Sequence, residues 1–97
     1  MLKILCTYKF KTKADRDGFY QGLVDIDMAN KVSQEPGNHQ FDYFMPCAKD
    51  TEILLVETWD NDDCLAPHVK TPHYAQVGEY KVKYGCEVSL EKFYTEG

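Results

Sequence analysis

No run of apolar residues in this chain comes near the roughly 20 needed to span a bilayer, so no membrane-spanning helix is expected. Met1-Leu-Lys-Ile-Leu-Cys6 is too short for a signal-peptide core and alternates like a strand, and a cytoplasmic location is expected. The cysteines, Cys6, Cys47, Cys64 and Cys86, are 41, 17 and 22 residues apart, which excludes a C-x-x-C pair and zinc-ribbon spacing. A reduced, partly buried set is the expectation. Basic residues are scattered on a chain of net charge −5, and only the Lys3–Lys13 region is locally basic. A nucleic-acid partner needs a concentrated basic face and is not expected. Repeats, linkers and low-complexity segments are also lacking, so residues 1–97 are read as one domain.

A chain of this length buries only about 60–65% of its unfolded surface, so its core is thin. What the sequence does hold is a regular order of elements. Leu2, Ile4, Cys6, Tyr8 and Phe10 alternate with Lys3, Thr7, Lys9 and Lys11 and predict a strand with one apolar face. Thr12 is placed to cap a helix, with Asp15 three residues on. Phe19, Leu23, Ile26 and Asn30 recur at helical spacing, and Pro36 stops the helix near Gln34. The spacing predicts one helix of about 20 residues with Asn30 on its inward stripe.

Asn38 to Met45 reads as a second strand with His39, Phe41, Tyr43 and Met45 on one face. Ile53-Leu-Leu-Val56-Glu-Thr-Trp59 is the third, and its centre is apolar on both faces. One chain has helix enough to cover one side of the sheet only, so the other side is expected to meet a second copy. Asn61 and Thr71-Pro72 read as two helix starts, with Pro67 bending the segment between them. A last strand runs from about Gly85 to Tyr94, with Cys86, Val88 and Leu90 on one face. The order β-α-β-β-α-β predicts an α+β, ferredoxin-like fold, an antiparallel sheet with helices on one face.

The densest chemistry lies in His68-Val-Lys-Thr-Pro-His73-Tyr74, nine residues after Trp59. Two of the three histidines flank one helix break, just after a strand ending Glu57-Thr-Trp59. Titratable groups beside aromatic residues predict a small-molecule pocket. Ser33-Gln-Glu35-Pro36-Gly37, Phe41-Asp42, Glu57-Thr-Trp59 and His68-x-x-Thr71-Pro72-His73-Tyr74, in that order and spacing, resemble the antibiotic biosynthesis monooxygenase domain. The likeness runs from about Ala14 to Tyr80.

The resemblance implies a homodimeric α+β barrel in which two sheets pack face to face. It implies oxidation of polycyclic phenols, anthrones or quinols by O₂, with no metal or flavin cofactor. Relatives sharing the H-x-x-T-P-H segment include a quinol monooxygenase and an isomerase of a phosphorylated autoinducer-2 sugar. A heme-degrading branch shares the fold, but Gly78 and Thr7 stand about where it carries its heme-ligating histidine and a key asparagine. Pro67 departs from the alanine-like residue usual before the first histidine.

Cofactor-free oxygenation needs a base to form an electron-rich anion, a dry aromatic cavity and an acid for the peroxide. A histidine can serve both proton roles. His68 is the first candidate, facing inward if Leu65 does, against the plainer reading of a helix histidine bonded to a carbonyl. His73 lies in the first turn of the restarted helix, where the helix dipole favours a neutral ring; a structural cap is its alternative. His39, beside a turn, is read as surface. Glu57 within an apolar strand is costly unless paired, and reads as an acid or base, a histidine-orienting group, or a structural ion pair.

Trp59, Phe41, Tyr43 and Tyr74 are candidates to line an aromatic slot, and Asn30 to bond a substrate oxygen. Five residues on an unbroken helix separate side chains by roughly 140°, so His68 and His73 are not expected to share a metal. Three readings remain: a monooxygenase of a quinol-like or polycyclic aromatic molecule, an isomerase or tautomerase of a small sugar-like substrate, and a non-catalytic small-molecule-binding dimer. Lys70 and Lys81 are the nearest cations for the phosphate that the second requires.

Overall fold

The computed structural model describes residues 1–96. Strand β1 (Leu2–Lys9) buries every second residue, as its alternation dictates. Helix α1 (Lys13–Asp25) begins where Thr12 accepts a hydrogen bond from the Asp15 amide. The expected single long helix does not form. Asp27 adopts a left-handed conformation at φ 55°, and a separate helix α2 (Met28–Ser33) follows it. Left-handed backbone costs about 1–2 kcal/mol for most L-residues, less for Asp and Asn, whose side chains can bond locally. Here the Asn30 amide donates to the Asp27 carboxylate at 3.0 Å.

Strand β2 (Asn38–Phe44) follows the Glu35-Pro36-Gly37 turn, in which Gly37 holds φ 83°. A Cβ on Gly37 would sit 2.3 Å from Cys64 Sγ, so only glycine lets the turn lie this close to the next segment. Strand β3 (Glu52–Trp59) leads to Asn61, whose side chain accepts from the Asp63 amide and opens one 3₁₀ turn. The short helix α3 (Leu65–His68) ends one residue after Pro67. Thr71 then joins two helices: its hydroxyl donates to the His68 carbonyl at 2.8 Å and accepts from the Tyr74 amide at the start of α4 (Pro72–Lys83). Strand β4 (Glu87–Tyr94) completes the sheet.

The strands order as β2-β3-β1-β4, each neighbouring pair antiparallel. The first predicted helix is a helical pair, the second segment carries the break expected of it, and the β-α-β-β-α-β sheet carries its helices on one face. Ile4 lies opposite Glu57, Cys6 opposite Leu55, Phe41 opposite Glu57 and Leu90 opposite Cys6, which puts these side chains on the helix-facing side. Phe19, Leu23, Met28, Val32 and Val77 pack onto it from the helices. The Phe19 ring lies 5.1 Å from both the Tyr8 and Phe10 rings.

The opposite face carries half-buried Leu5, Leu54 and Val56, with Phe44 50% and Phe93 46% exposed. His39 does not share the face of Phe41 and Tyr43 as the alternation predicted. The β2–β3 register shifts between Asn38 and Gln40, and His39 turns outward to pair with Asp60. Met45 lies beyond the strand and is exposed. Among the described residues no helix is long and apolar enough to cross a membrane.

Candidate active site: two histidines on one carboxylate

The helix break between α3 and α4 decides the geometry of the site. On an unbroken helix His68 and His73 would diverge; here His68 closes α3, His73 lies in the first turn of α4, and both turn onto Glu35. His68 Nδ1 lies 3.0 Å from each Glu35 carboxylate oxygen. His73 Nε2 lies 2.9 Å from Glu35 Oε2. The expectation that these histidines cannot converge is therefore corrected: its premise was a continuous helix. The three donor atoms lie within 4.8 Å of one another and form a set that can hold a divalent ion.

Glu35 was legible only as part of an E-P-G turn. It sits at the junction of α2 and β2, and the turn hydrogen-bonds to the start of the next segment through Gly37 O and the Asp60 amide at 2.8 Å. A carboxylate with Nδ1 and Nε2 within hydrogen-bond reach is satisfied when each ring donates an N–H. With its Nδ1 committed to Glu35, His68 has Nε2 as its remaining ring nitrogen, and its side chain lines a cavity. That is the arrangement by which a carboxylate fixes an imidazole tautomer and stabilises the imidazolium formed on proton uptake.

His68 is buried, its ring 5.0 Å from Trp59, 5.1 Å from Tyr74 and 6.3 Å from Phe41. It opens on a cavity of about 200 Å³ between the sheet and α4, whose walls include Tyr8, Phe41, Tyr43 and Tyr74. Leu55, Val77 and Leu90 add aliphatic surface, and Glu57 and Lys81 are its other charged side chains. Burial pushes the Tyr8 and Tyr43 hydroxyls well above their ordinary range, so both remain neutral donors. Burial also raises the Glu57 carboxyl, against a hydrogen bond from Trp59 Nε1 at 3.2 Å and the nearby His68 that favour its charged form.

The predicted residues thus divide. His68, Glu57, Phe41, Tyr43 and Tyr74 share the cavity. His73 joins them through Glu35. Trp59 is fully buried and does not line the cavity; it backs His68 and anchors Glu57. Glu57 orients no histidine: Glu35 does. Asn30 is exposed and bonded to Asp27, outside the cavity. Helix α2 restarts in a new phase after Asp27 and directs Met28 and Val32 inward instead. A second hollow of about 170 Å³ lies behind Tyr43 and Met28, among Tyr20, Leu23 and Val24, and holds no histidine.

The family model described as antibiotic biosynthesis monooxygenase matches residues 8–80. No curated protein matches the chain at a significant level. Among solved structures, the chain is similar to a conserved protein of unknown function from Bacteroides thetaiotaomicron, at 24% identity and a TM-score of 0.82, over 95% of this chain and 94% of that one. A Deinococcus radiodurans protein, provisionally assigned as an antibiotic biosynthesis monooxygenase, aligns at 18% identity and a TM-score of 0.85 over 100% of this chain and 94% of its own. SnoaB, a cofactor-independent oxygenase from Streptomyces nogalater, aligns at 10% identity and a TM-score of 0.75 over 99% of this chain and 93% of its own. At these identities the likeness is one of fold.

Proposed function

The chain belongs to the antibiotic biosynthesis monooxygenase family, and on that premise we propose that it oxidises a single-ring, quinol-like aromatic with O₂ and without a cofactor. The observation that carries this reading is the Glu35–His68 pair, with the second imidazole nitrogen left for an aromatic cavity. The cavity volume narrows the substrate class. An apolar cavity of about 150 Å³ accepts benzene, so about 200 Å³ suits one substituted ring better than several fused ones.

In this reaction His68 Nε2 takes a phenolic proton, and Glu35 stabilises the resulting imidazolium. The ring anion gives one electron to O₂, and the radical pair joins through a new C–O bond. Imidazolium returns its proton to the peroxide, forming a ring hydroperoxide. Loss of the ring C–H proton and cleavage of the O–O bond leave one oxygen on the ring as a carbonyl and release the other as water. Both oxidising equivalents are balanced by the substrate, which becomes a hydroxyquinone. Glu57, raised by burial, supports the proton transfer to the departing oxygen. His73 Nε2 also holds Glu35, at the Oε2 that His68 Nδ1 reaches.

A homodimer is part of the proposal. Phe44, Phe93, Leu54 and Val56 form an apolar face on the uncovered side of the sheet, which a second copy would remove from water. The test is O₂ uptake with a panel of hydroquinones, comparing wild type with His68→Ala. Uptake lost in a folded variant supports the reading. Wild type that consumes no O₂ above background, yet converts a sugar phosphate under anaerobic conditions, would replace it with isomerase chemistry.

A further inference from the structure

Lys81 is the one cationic ammonium lining the cavity among the described residues. It rises from α4 one turn after Val77, and its Nζ lies 5.5 Å from the centre of the Tyr8 ring and 5.9 Å from that of Tyr74. The same Tyr74 ring contacts His68, so base and ammonium flank one aromatic wall. Lys81 forms no ion pair with a carboxylate among the described residues, although Glu57 lines the same cavity. Two aromatic faces hold the ammonium by cation–π attraction, which fixes its position without neutralising its charge. Glu57 is within electrostatic reach of Lys81 but makes no ion pair with it, so the ammonium keeps its N–H donors for an anion in the cavity.

Resting on the reading of this cavity as the substrate site, we infer that Lys81 is a specificity residue for a carboxylate on the substrate ring. The substrate class is then an acidic quinol, a dihydroxybenzoate, with its carboxylate on Lys81 and a hydroxyl presented to His68. The acidic protein surface makes the placement more selective: at net charge −5 the chain as a whole repels anions, and the lysine offers a local exception.

The test is anaerobic calorimetric binding to the full chain, which requires no turnover. The probes are 2,5-dihydroxybenzoate, its methyl ester, hydroquinone and phenyl phosphate. Wild type is expected to bind the free acid about tenfold or more tightly than the ester, the scale of one charge-assisted contact. Lys81→Met is expected to abolish that preference, bringing acid and ester to within about twofold of each other, and Lys81→Arg to keep it. Equal affinity for acid and ester in wild type overturns the inference without any variant having to fold. A preference that survives in Lys81→Met also overturns it, and stronger binding of phenyl phosphate than of the acid overturns the carboxylate assignment. If hydroquinone supports O₂ uptake but the carboxylate gives no binding advantage, this inference alone fails. If the carboxylate preference holds and neither compound supports O₂ uptake, the oxygenase reading alone fails.

Discussion

Replacing Glu35 with glutamine changes the proposed site by almost nothing in volume and a great deal in chemistry. The carboxylate has His68 Nδ1 at 3.0 Å and His73 Nε2 at 2.9 Å. A glutamine has one acceptor oxygen, and its NH₂ faces a ring N–H with another N–H. Losing one charge-assisted hydrogen bond to the imidazolium costs about 1.5–3 kcal/mol, which is roughly a 10- to 150-fold loss in rate. If the amide also turns His68 into the tautomer protonated on Nε2, the cavity nitrogen can no longer accept a proton. The same carboxylate-to-amide change in a Ser-His-Asp triad costs about 10⁴ in kcat, which sets the upper bound. The assay is kcat/KM for O₂ uptake with a hydroquinone, across pH, on Glu35→Gln and wild type of matched fold by circular dichroism. A folded variant within about twofold of wild type at every pH would refute the role given to Glu35.

Glu57→Gln tests the buried carboxyl by stability. Its folded value is raised, so the native state binds more protons than the unfolded one between the ordinary carboxylate value and the raised one. Wild-type stability therefore falls as pH rises through that window. Glutamine keeps an acceptor for Trp59 Nε1, removes the slope and melts higher than wild type above the window; an unchanged slope would count against the assignment. Val56→Lys on the uncovered sheet face is expected to convert a dimer into a monomer by light scattering, since an unpaired buried charge costs several kcal/mol; a monomeric wild type would end that reading. Chelator treatment is expected to leave O₂ uptake unchanged, whereas loss restored by a divalent ion would make Glu35, His68 and His73 metal ligands.

The parts of this fold legible in the sequence are those governed by neighbours in the chain. Period-two burial of β1 and the caps at Thr12, Asn61 and Thr71 all appear as read, because each depends on residues within one turn. The break at Asp27 was hidden: neither glycine nor proline marks it, and helical spacing continues through it. Its faint signal is the Asp27 and Asn30 pair, residue types that tolerate or support left-handed backbone. Asn30 was misplaced for that reason alone, since its predicted inward position extended the phase of α1 across the break. Glu35 was missed because its partners lie 33 and 38 residues away, and only the folded corner between α3 and α4 brings them to it. The same corner invalidated the angular argument against His68 and His73 converging.

The shortness of the helical pieces around the site sets the order in which heat removes function. Helix α2 has six residues and α3 has four, well below the length at which an isolated helix persists in water. Neither segment can hold Glu35 or His68 in place by its own propensity; the sheet beneath them must do so. Such segments open locally at lower free energy than the central strands, in units that need not involve global unfolding. Amide exchange at the α2–β2 turn and at α3 is then faster than in β1 and β3, and thermal inactivation sets in below the melting temperature of the sheet.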